Sequence, residues 1–473
     1  MSLPDKLETV IADIEQQFSI NDEFIIKATD TFVESMEKGL ASPKPTREYM
    51  PMIPTYVTSI PNGKEKGIFL AADLGGTNFR VCSIDLKGDH TFELKQSKYK
   101  IPVDVMKATE AEELFSYLAK KVKAFLDEHH QGNADGSHLK LGFTFSFPVD
   151  QTALNRGTLL RWTKGFSIED AVGKDVVELL QANLVILGVK VDVVALANDT
   201  VGTLLSRAYV NDPKESNANT IIGCIFGTGT NGAYYETLEN IPKLTPDQIP
   251  KGAKGMVVNT EWGSFDNTLK VLPSTKWDEI VDQETANPGY HLFEKRISGM
   301  FIGEILRVAL YDLFKQGLIF QDLYKQRGGS LPHRITEPWL LDAEILSYIE
   351  IDDSTELKMS GLVLQNHLRL PTTHHERIII QRLTKVISRR AAYLSAIPLA
   401  GITRKVKDQY KDDDKDFEFG CDGSVVEFYP NFKQTILEAV AVIDPLKGTN
   451  KKIHLKIAKD GSGVGAALCA STV

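Results

Sequence analysis

Leu7, Val10, Ile11, Ile14 and Phe18 recur at three- and four-residue spacing, and Phe24, Ile25, Ala28, Phe32 and Met36 repeat the stripe. Two amphipathic helices are therefore predicted between Leu7 and Leu40. From Ala41 to Pro61 five prolines and no helical period predict an extended, ordered connection. Two apolar runs joined by a glycine-rich turn then span Gly67–Asp85, the pattern of a β-hairpin. Helices are predicted at Ala111–His129 and Asp175–Leu187 and buried strands at Lys140–Phe147 and Val193–Ala197, which together read as a sheet covered by helices. Asn219–Tyr235 repeats the plan of apolar strand, glycine–threonine turn and apolar strand, and two such copies roughly 150 residues apart suggest a duplicated core. After Tyr290 the pattern is mostly helical, with Phe301–Phe314, Ala343–Glu350, Glu376–Ile397 and Phe432–Val442, before a strand at Ile453–Ala458 and a helix at Gly463–Ala470.

Composition places the chain among ordinary folded proteins: 473 residues, 42% hydrophobic and 25% charged. That length suggests about two to four domains. Lysine and arginine total 54 against 63 acids, a net charge of −9 that disfavours nucleic-acid partners and anionic membrane surfaces. Cys82, Cys224, Cys421 and Cys469 lie far apart with no metal spacing, and acids occupy Met1–Glu8 where a signal peptide needs an apolar core. A cytoplasmic protein with reduced thiols is expected. No apolar run reaches the ~18–20 residues of a spanning helix, so no membrane insertion is expected.

The two glycine–threonine turns are candidates for phosphate, because glycine lets backbone N–H groups approach an anion and a threonine hydroxyl adds a donor. The competing reading is a pair of tight turns. No GxxxxGK[ST] loop is present, and Gly461-Ser462-Gly463-Val464-Gly465 reads as a helix opening with a packing role. Asp422-Gly423-Ser424 is a third glycine turn. Asn198-Asp199 follows a buried strand, at the end where α/β sheets place ligands, although Asp199 equally suits a helix N-cap. Thr163-Lys164-Gly165 puts a cation in a loop downstream of the strand that carries Ser146 near its end. Glu261 and Glu294 sit in apolar or glycine-rich company, where carboxylates with amides can pair several sugar hydroxyls at once; an ion pair for Glu261 and a surface position for Glu294 are the alternatives. His374-His375-Glu376 belongs to a capping box begun by Thr373 rather than to a metal cluster, and Lys411–Asp416 reads as a solvated turn.

Leu141-Gly142-Phe143-Thr144-Phe145-Ser146-Phe147-Pro148, followed by Leu154-Asn155 and Trp162-Thr163-Lys164-Gly165-Phe166, resembles the sugar-binding signature of the eukaryotic hexokinase family. Asp73-Leu74-Gly75-Gly76-Thr77-Asn78 resembles that family's first phosphate loop, Gly227-Thr228-Gly229-Thr230-Asn231 its second, and Gly420-Cys421-Asp422-Gly423-Ser424 its adenosine segment. The resemblance runs from about Met52 to the C-terminus with the motifs in family order; Val149–Leu159, His291–Phe301 and His454–Gly465 look most like fungal glucokinases. His291 stands where many hexokinases carry glutamine.

The resemblance implies an α/β chain with the actin-like ATPase (ribonuclease H-like) fold, two lobes with a deep interlobe cleft. Residues 64–197 plus 446–473 are expected in a small lobe, and 1–63 plus 198–445 in a large one. The implied activity is ATP-dependent phosphorylation of glucose at the 6-hydroxyl, the first step of glycolysis, with other hexoses left open. Asp199 resembles the catalytic base, with Lys164 beside it favouring its ionised form. Ser146, Phe147, Thr163, Lys164, Asn198, Asn231, Glu261 and Glu294 resemble sugar contacts. Asp73 resembles the carboxylate that holds Mg²⁺ through water, and Gly75, Gly76, Thr77, Asn78, Arg80, Lys98, Gly227, Thr228, Gly423 and Ser424 resemble the lining of the ATP site. The alternative is a sugar-sensing regulatory protein of the same fold with little turnover, but Asp199, Lys164, Asp73 and both phosphate loops, which a sensor is free to lose, are all present.

Overall fold

The computed structural model describes residues 3–44, 46–76, 78–129, 137–162, 165–458 and 460–473. Among them the strands, in chain order, are β1 Ile53–Pro54, β2 Lys66–Leu74, β3 Asn78–Lys87, β4 Phe92–Lys100, β5 Leu139–Phe145, β6 Val149–Ala153, β7 Arg156–Leu159, β8 Val191–Ala197, β9 Ala218–Phe226, β10 Thr230–Thr237, β11 Gly255–Asn259, β12 Asp416–Asp422 and β13 Ile453–Ile457. β2 and β3 form an antiparallel hairpin that β4 extends, while β5 and β8 add in parallel beyond β2, giving the order β4-β3-β2-β5-β8. The second sheet repeats this plan with β11-β10-β9-β12-β13, and β1 is an added edge. The duplicated hairpin is thus a duplicated sheet, as an actin-like ATPase fold requires.

Helices Ala111–His129 and Val176–Ile186 bury their apolar stripes with the smaller sheet in one core. Its other face is covered by helix Gly461–Ser471, which lies on β2 and β5. Helix Asp199–Val210 occupies the corresponding place on β9 of the larger sheet. These two helices cross at Gly202 and Gly465, where a Cβ built on Gly465 would stand 2.0 Å from the Gly202 Cα. Backbone meets backbone there, and any side chain would force the helices apart. Small residues such as Ala195, Ala197, Ala466 and Ala467 complete a core common to both lobes. The glycine tail read from sequence as a helix opening with a packing role has that role.

The segment 446–473, expected whole in the small lobe, divides. Its strand β13 pairs with β12 and completes the larger sheet, and only its helix passes to the smaller one. The physical reason is pairing: β12 offers a free parallel edge that the backbone groups of β13 satisfy.

Helices Asp5–Phe18 and Asp22–Ala41 pack along helix His374–Val406. Arg382 pairs there with Glu8 and Glu15, and Arg404 with Asp30. The Thr373–Glu376 capping box opens the long helix as expected. The helix runs beyond the predicted end at Ile397, through Pro398, because residues on every side of Ala391–Ile402 are buried and that packing outweighs a proline penalty of about 3 kcal/mol. Lys411–Asp416 begins as the turn expected, with Lys411, Asp412 and Asp414 exposed, but two of its acids are engaged. Asp413 accepts from Lys451 and Asn219, and Asp416 from His454 and the Lys452 N–H, so these acids fasten the start of β12 to the approach of β13.

Candidate active site

The register of the small sheet sets Asp73 opposite Arg80 and Arg80 opposite Lys98, so an acid and two bases form a row across β2, β3 and β4. With Gly75, Gly76 and Asn78 they line a cavity of about 250 Å³. An Arg80 Nη stands 3.6 Å from Asp73 Oδ2, which also accepts a hydrogen bond from Ser462 Oγ at 3.0 Å. The other Arg80 Nη is 3.9 Å from Asp460. Thr77, expected in this loop, lies outside the described residues.

On the large-lobe side the β9–β10 turn is clamped from behind. The N–H of Gly299 donates to the Gly227 carbonyl at 2.8 Å and that of Met300 to the Thr228 carbonyl at 3.2 Å, both from the start of helix Gly299–Lys315. Gly227 also touches Gly423, which has φ +116° and whose Cβ position would be 2.4 Å from the Phe226 oxygen; only glycine fits. Burial pushes the Asp422 carboxyl above its ordinary range against the Gly423 N–H it accepts at 2.6 Å, and Glu427 and Asp460 push the same way while Arg80 opposes. Arg80 is therefore close enough to Asp422 to act on its charge. Ser424 opens the short helix Ser424–Phe428 and is exposed.

The same turn continues into an amide–carboxylate network. Asn231 Nδ2 donates to Asn259 Oδ1 at 2.9 Å and to Glu261 Oε1 at 3.1 Å, while Asn259 Nδ2 donates to the same Glu261 oxygen at 2.8 Å. Glu261 adopts a left-handed backbone, φ +52°, which turns its carboxylate back over the end of β11. Glu294 Oε2 accepts the Thr230 N–H at 2.9 Å. Burial raises the Glu294 carboxyl, opposed by His291 and by that N–H, and Glu261 adds to the rise. Burial lowers the His291 imidazole, with Glu294 opposing and Arg161 and Lys295 reinforcing. Glu294 does not have the surface setting that was its alternative.

Asp199 is the first residue of helix Asp199–Val210, and the cap is Asn198, whose Oδ1 accepts from Thr200 N at 2.9 Å and Thr200 Oγ1 at 2.6 Å. The Thr200 N–H also donates to Asp199 Oδ1 at 2.9 Å, so the cap Asn198 and Asp199 share the first donor of the helix. Ser146 follows β5, its N–H directed at the Leu74 carbonyl at 3.4 Å. The Phe147 ring is buried against Trp162 and Phe166, with centroids 4.9 and 5.1 Å away, so its side chain is taken up by packing. Thr163 and Lys164 lie outside the described residues.

Profiles of the hexokinase family match residues 10–209 and 221–472. The chain belongs to the hexokinase family. Among similar proteins of this family, Glucokinase-1 of Saccharomyces cerevisiae is 51% identical, with 98% of this chain and 97% of the relative covered. A glucokinase of Aspergillus niger is 45% identical over 97% and 96%. The solved hexokinase of Schistosoma mansoni complexed with glucose superposes with a TM-score of 0.84 at 34% identity, covering 99% of both chains. The two sheets of this hexokinase-family chain are accordingly the two lobes of an actin-like ATPase fold. No helix among the described residues is long and apolar enough to cross a membrane.

Sequence reasoning missed three residues of the site. Asn259 ends an apolar strand and gave no signal beyond its nearness to Glu261. Asp460 and Ser462 were hidden inside a glycine-rich tail whose packing role accounted for it.

Proposed function

We propose that the chain transfers the γ-phosphoryl group of ATP to the 6-hydroxyl of glucose, releasing glucose 6-phosphate and ADP. The observation that carries this reading is the Gly227–Asn231 turn. At Gly227 it touches the nucleotide-like Gly423 turn, and at Thr230 and Asn231 it touches Glu294 and Glu261, so a phosphate lining and a polyol-binding network share one short loop.

Asp199 accepts the proton of the 6-hydroxyl as the O6–P bond forms and the bond to the β,γ-bridging oxygen breaks, a contribution of ~10²–10⁴ in rate. Lys164, by its resemblance to the family's cation, would favour the ionised form of that carboxylate. Asn198, Asn231, Glu261, Glu294, Ser146, Thr163 and the backbone at Phe147 pair the sugar hydroxyls; an unmatched buried group costs ~1–3 kcal/mol, which penalises wrong stereochemistry. The turns at Gly75, Gly76, Thr77, Asn78, Gly227 and Thr228, with Arg80 and Lys98, line the phosphates, while Gly423 and Ser424 flank the nucleoside. The acid–base row at Asp73 suits a hydrated divalent cation, since Asp73 is a carboxylate at the edge of a phosphate-sized cavity. Asp73 would hold Mg²⁺ through water, and the ion supplies charge neutralisation on the phosphate oxygens. Closure of the cleft around sugar keeps water from acting as the acceptor.

The same reading puts the enzyme in the cytoplasm, which its four buried free thiols support. It assigns 64–197 with helix Gly461–Ser471 to the small lobe and 1–63 with 198–457 to the large lobe. The test is kcat/KM for glucose, mannose and fructose with ATP and Mg²⁺ in a coupled assay. Stoichiometric ADP and glucose 6-phosphate are expected; glucose binding without ADP formation would establish a sensor instead.

A further inference from the structure

The two sheets carry equivalent endings. β8 leads into Asp199 and the helix it begins; β13 leads to Asp460 and helix Gly461–Ser471; and the two helices cross at Gly202 and Gly465. Asp460 therefore precedes its helix as Asn198 precedes the helix begun by Asp199, at the equivalent ending of the other sheet.

Nothing in the folding of the tail accounts for this acid. It precedes its helix without donating or accepting a capping hydrogen bond through its side chain, and that side chain is 44% exposed. Its backbone is left-handed, φ +52° and ψ 35°, a conformation that costs an L-residue energy and persists where surroundings enforce it. What it faces is Arg80. One guanidinium spans two carboxylates, at 3.6 Å from Asp73 and 3.9 Å from Asp460. Both separations exceed the 2.7–2.9 Å of a closed charge-assisted hydrogen bond. The guanidinium is shared between the acids and locked to neither.

We propose that Asp460 is a positioning residue that holds Arg80 off Asp73, leaving the Asp73 carboxylate available to a hydrated metal and the guanidinium available to the triphosphate. The proposal rests on the reading of this cavity as the MgATP site. Without Asp460, Arg80 closes onto Asp73, and the cation and the acid that should serve the nucleotide satisfy each other instead. The sign of the effect is diagnostic. Removing a nearby negative charge, by Coulomb's law alone, tightens binding of an anion; loss of positioning weakens it.

The experiment measures the dissociation constant of MgADP by calorimetry and KM for MgATP in Asp460→Asn, alone and in an Arg80→Met background. Both constants should rise about fivefold in the single variant, the scale of a half-exposed ion pair, while glucose affinity and Tm hold. In the Arg80→Met background the same substitution should have no weakening effect. Tighter or unchanged nucleotide binding in Asp460→Asn overturns the proposal, as does an equal loss in both backgrounds. If Arg80→Met by itself leaves MgADP binding unaltered, the assignment of the cavity to phosphate fails, and the role of Asp460 fails with it.

Discussion

Asn259 offers the sharpest test of the sugar-side network, because one isosteric change inverts a single hydrogen bond. Its Nδ2 donates to Glu261 Oε1 at 2.8 Å, while its Oδ1 accepts from Asn231 Nδ2 and, at 3.2 Å, from the Glu261 N–H. Asn259→Asp keeps the accepting oxygen and puts a second carboxylate oxygen where the donor was. Two unit charges at that separation repel by about 6 kcal/mol at an effective dielectric of about 20. Asn259 is only 5% exposed, so screening by solvent is weak. The pair must then hold one proton between them, as like charges in one site do. With the proton in place the donor is restored and glucose KM stays near that of the parent. As pH rises the shared proton is lost, both acids ionise, and the network opens. The proton-bound form is the functional one, so affinity is present at low pH and lost at high pH. A coupled assay from about pH 5.5 to 8.5 should show the ratio of variant to parent KM for glucose growing at least tenfold, the loss of one charge-assisted hydrogen bond of about 1.5–3 kcal/mol. A ratio independent of pH would refute the reasoning, since it would mean that Asn259 does not face Glu261 through its amide nitrogen.

Asp199→Ala should bind glucose with near-parental affinity by calorimetry while kcat falls ~10²–10⁴; near-normal turnover removes Asp199 from the role of base. Gly465→Ala places a methyl 2.0 Å from Gly202 and should separate the crossing helices at a cost of about 1–3 kcal/mol, seen as a lower Tm; a parental Tm would disprove the close crossing. Burial lowers the Lys243 ammonium to about 8, although its Nζ donates to the carbonyls of Gly39 and Pro51. The unfolded chain then binds more protons between about pH 8 and 10.5, so stability measured by urea should rise with pH across that window, relative to Lys243→Met, by up to about 3 kcal/mol; a flat difference would refute the buried charge.

Local patterns made much of this molecule readable. Helix Ala111–His129 has the limits its apolar stripe predicts, and the Asn198-Asp199 pair was locatable because an apolar strand stops at Ala197. The repeated glycine–threonine turn disclosed the duplication because the fold reuses one hairpin at one place in each sheet. Choices made by distant parts of the chain were not readable. Whether β13 joins one sheet or the other depends on a parallel register between Phe417 and Ile453, which no periodicity encodes. The Asn231–Asn259–Glu261 network depends on a left-handed φ at a glutamate, for which sequence has no ordinary signature. Phe147 carried a family resemblance that could not say whether the ring or the backbone faces the cleft, and the ring is buried.

The passage of the chain from β13 in one lobe to helix Gly461–Ser471 on the other also governs how the protein can be made. The five strands of the small sheet are all synthesised by Ala197, yet the helix that covers β2 and β5 emerges roughly 260 residues later, which at ~5–20 residues per second is about 13–50 s of translation. Throughout that interval Ala71, Ile84 and Ala195 of the shared core lack their cover. The nascent chain, more than the finished enzyme, is the species that needs protection from aggregation. A stop codon only a few turns early would release a large lobe with its sheet complete and a small lobe with one face bare.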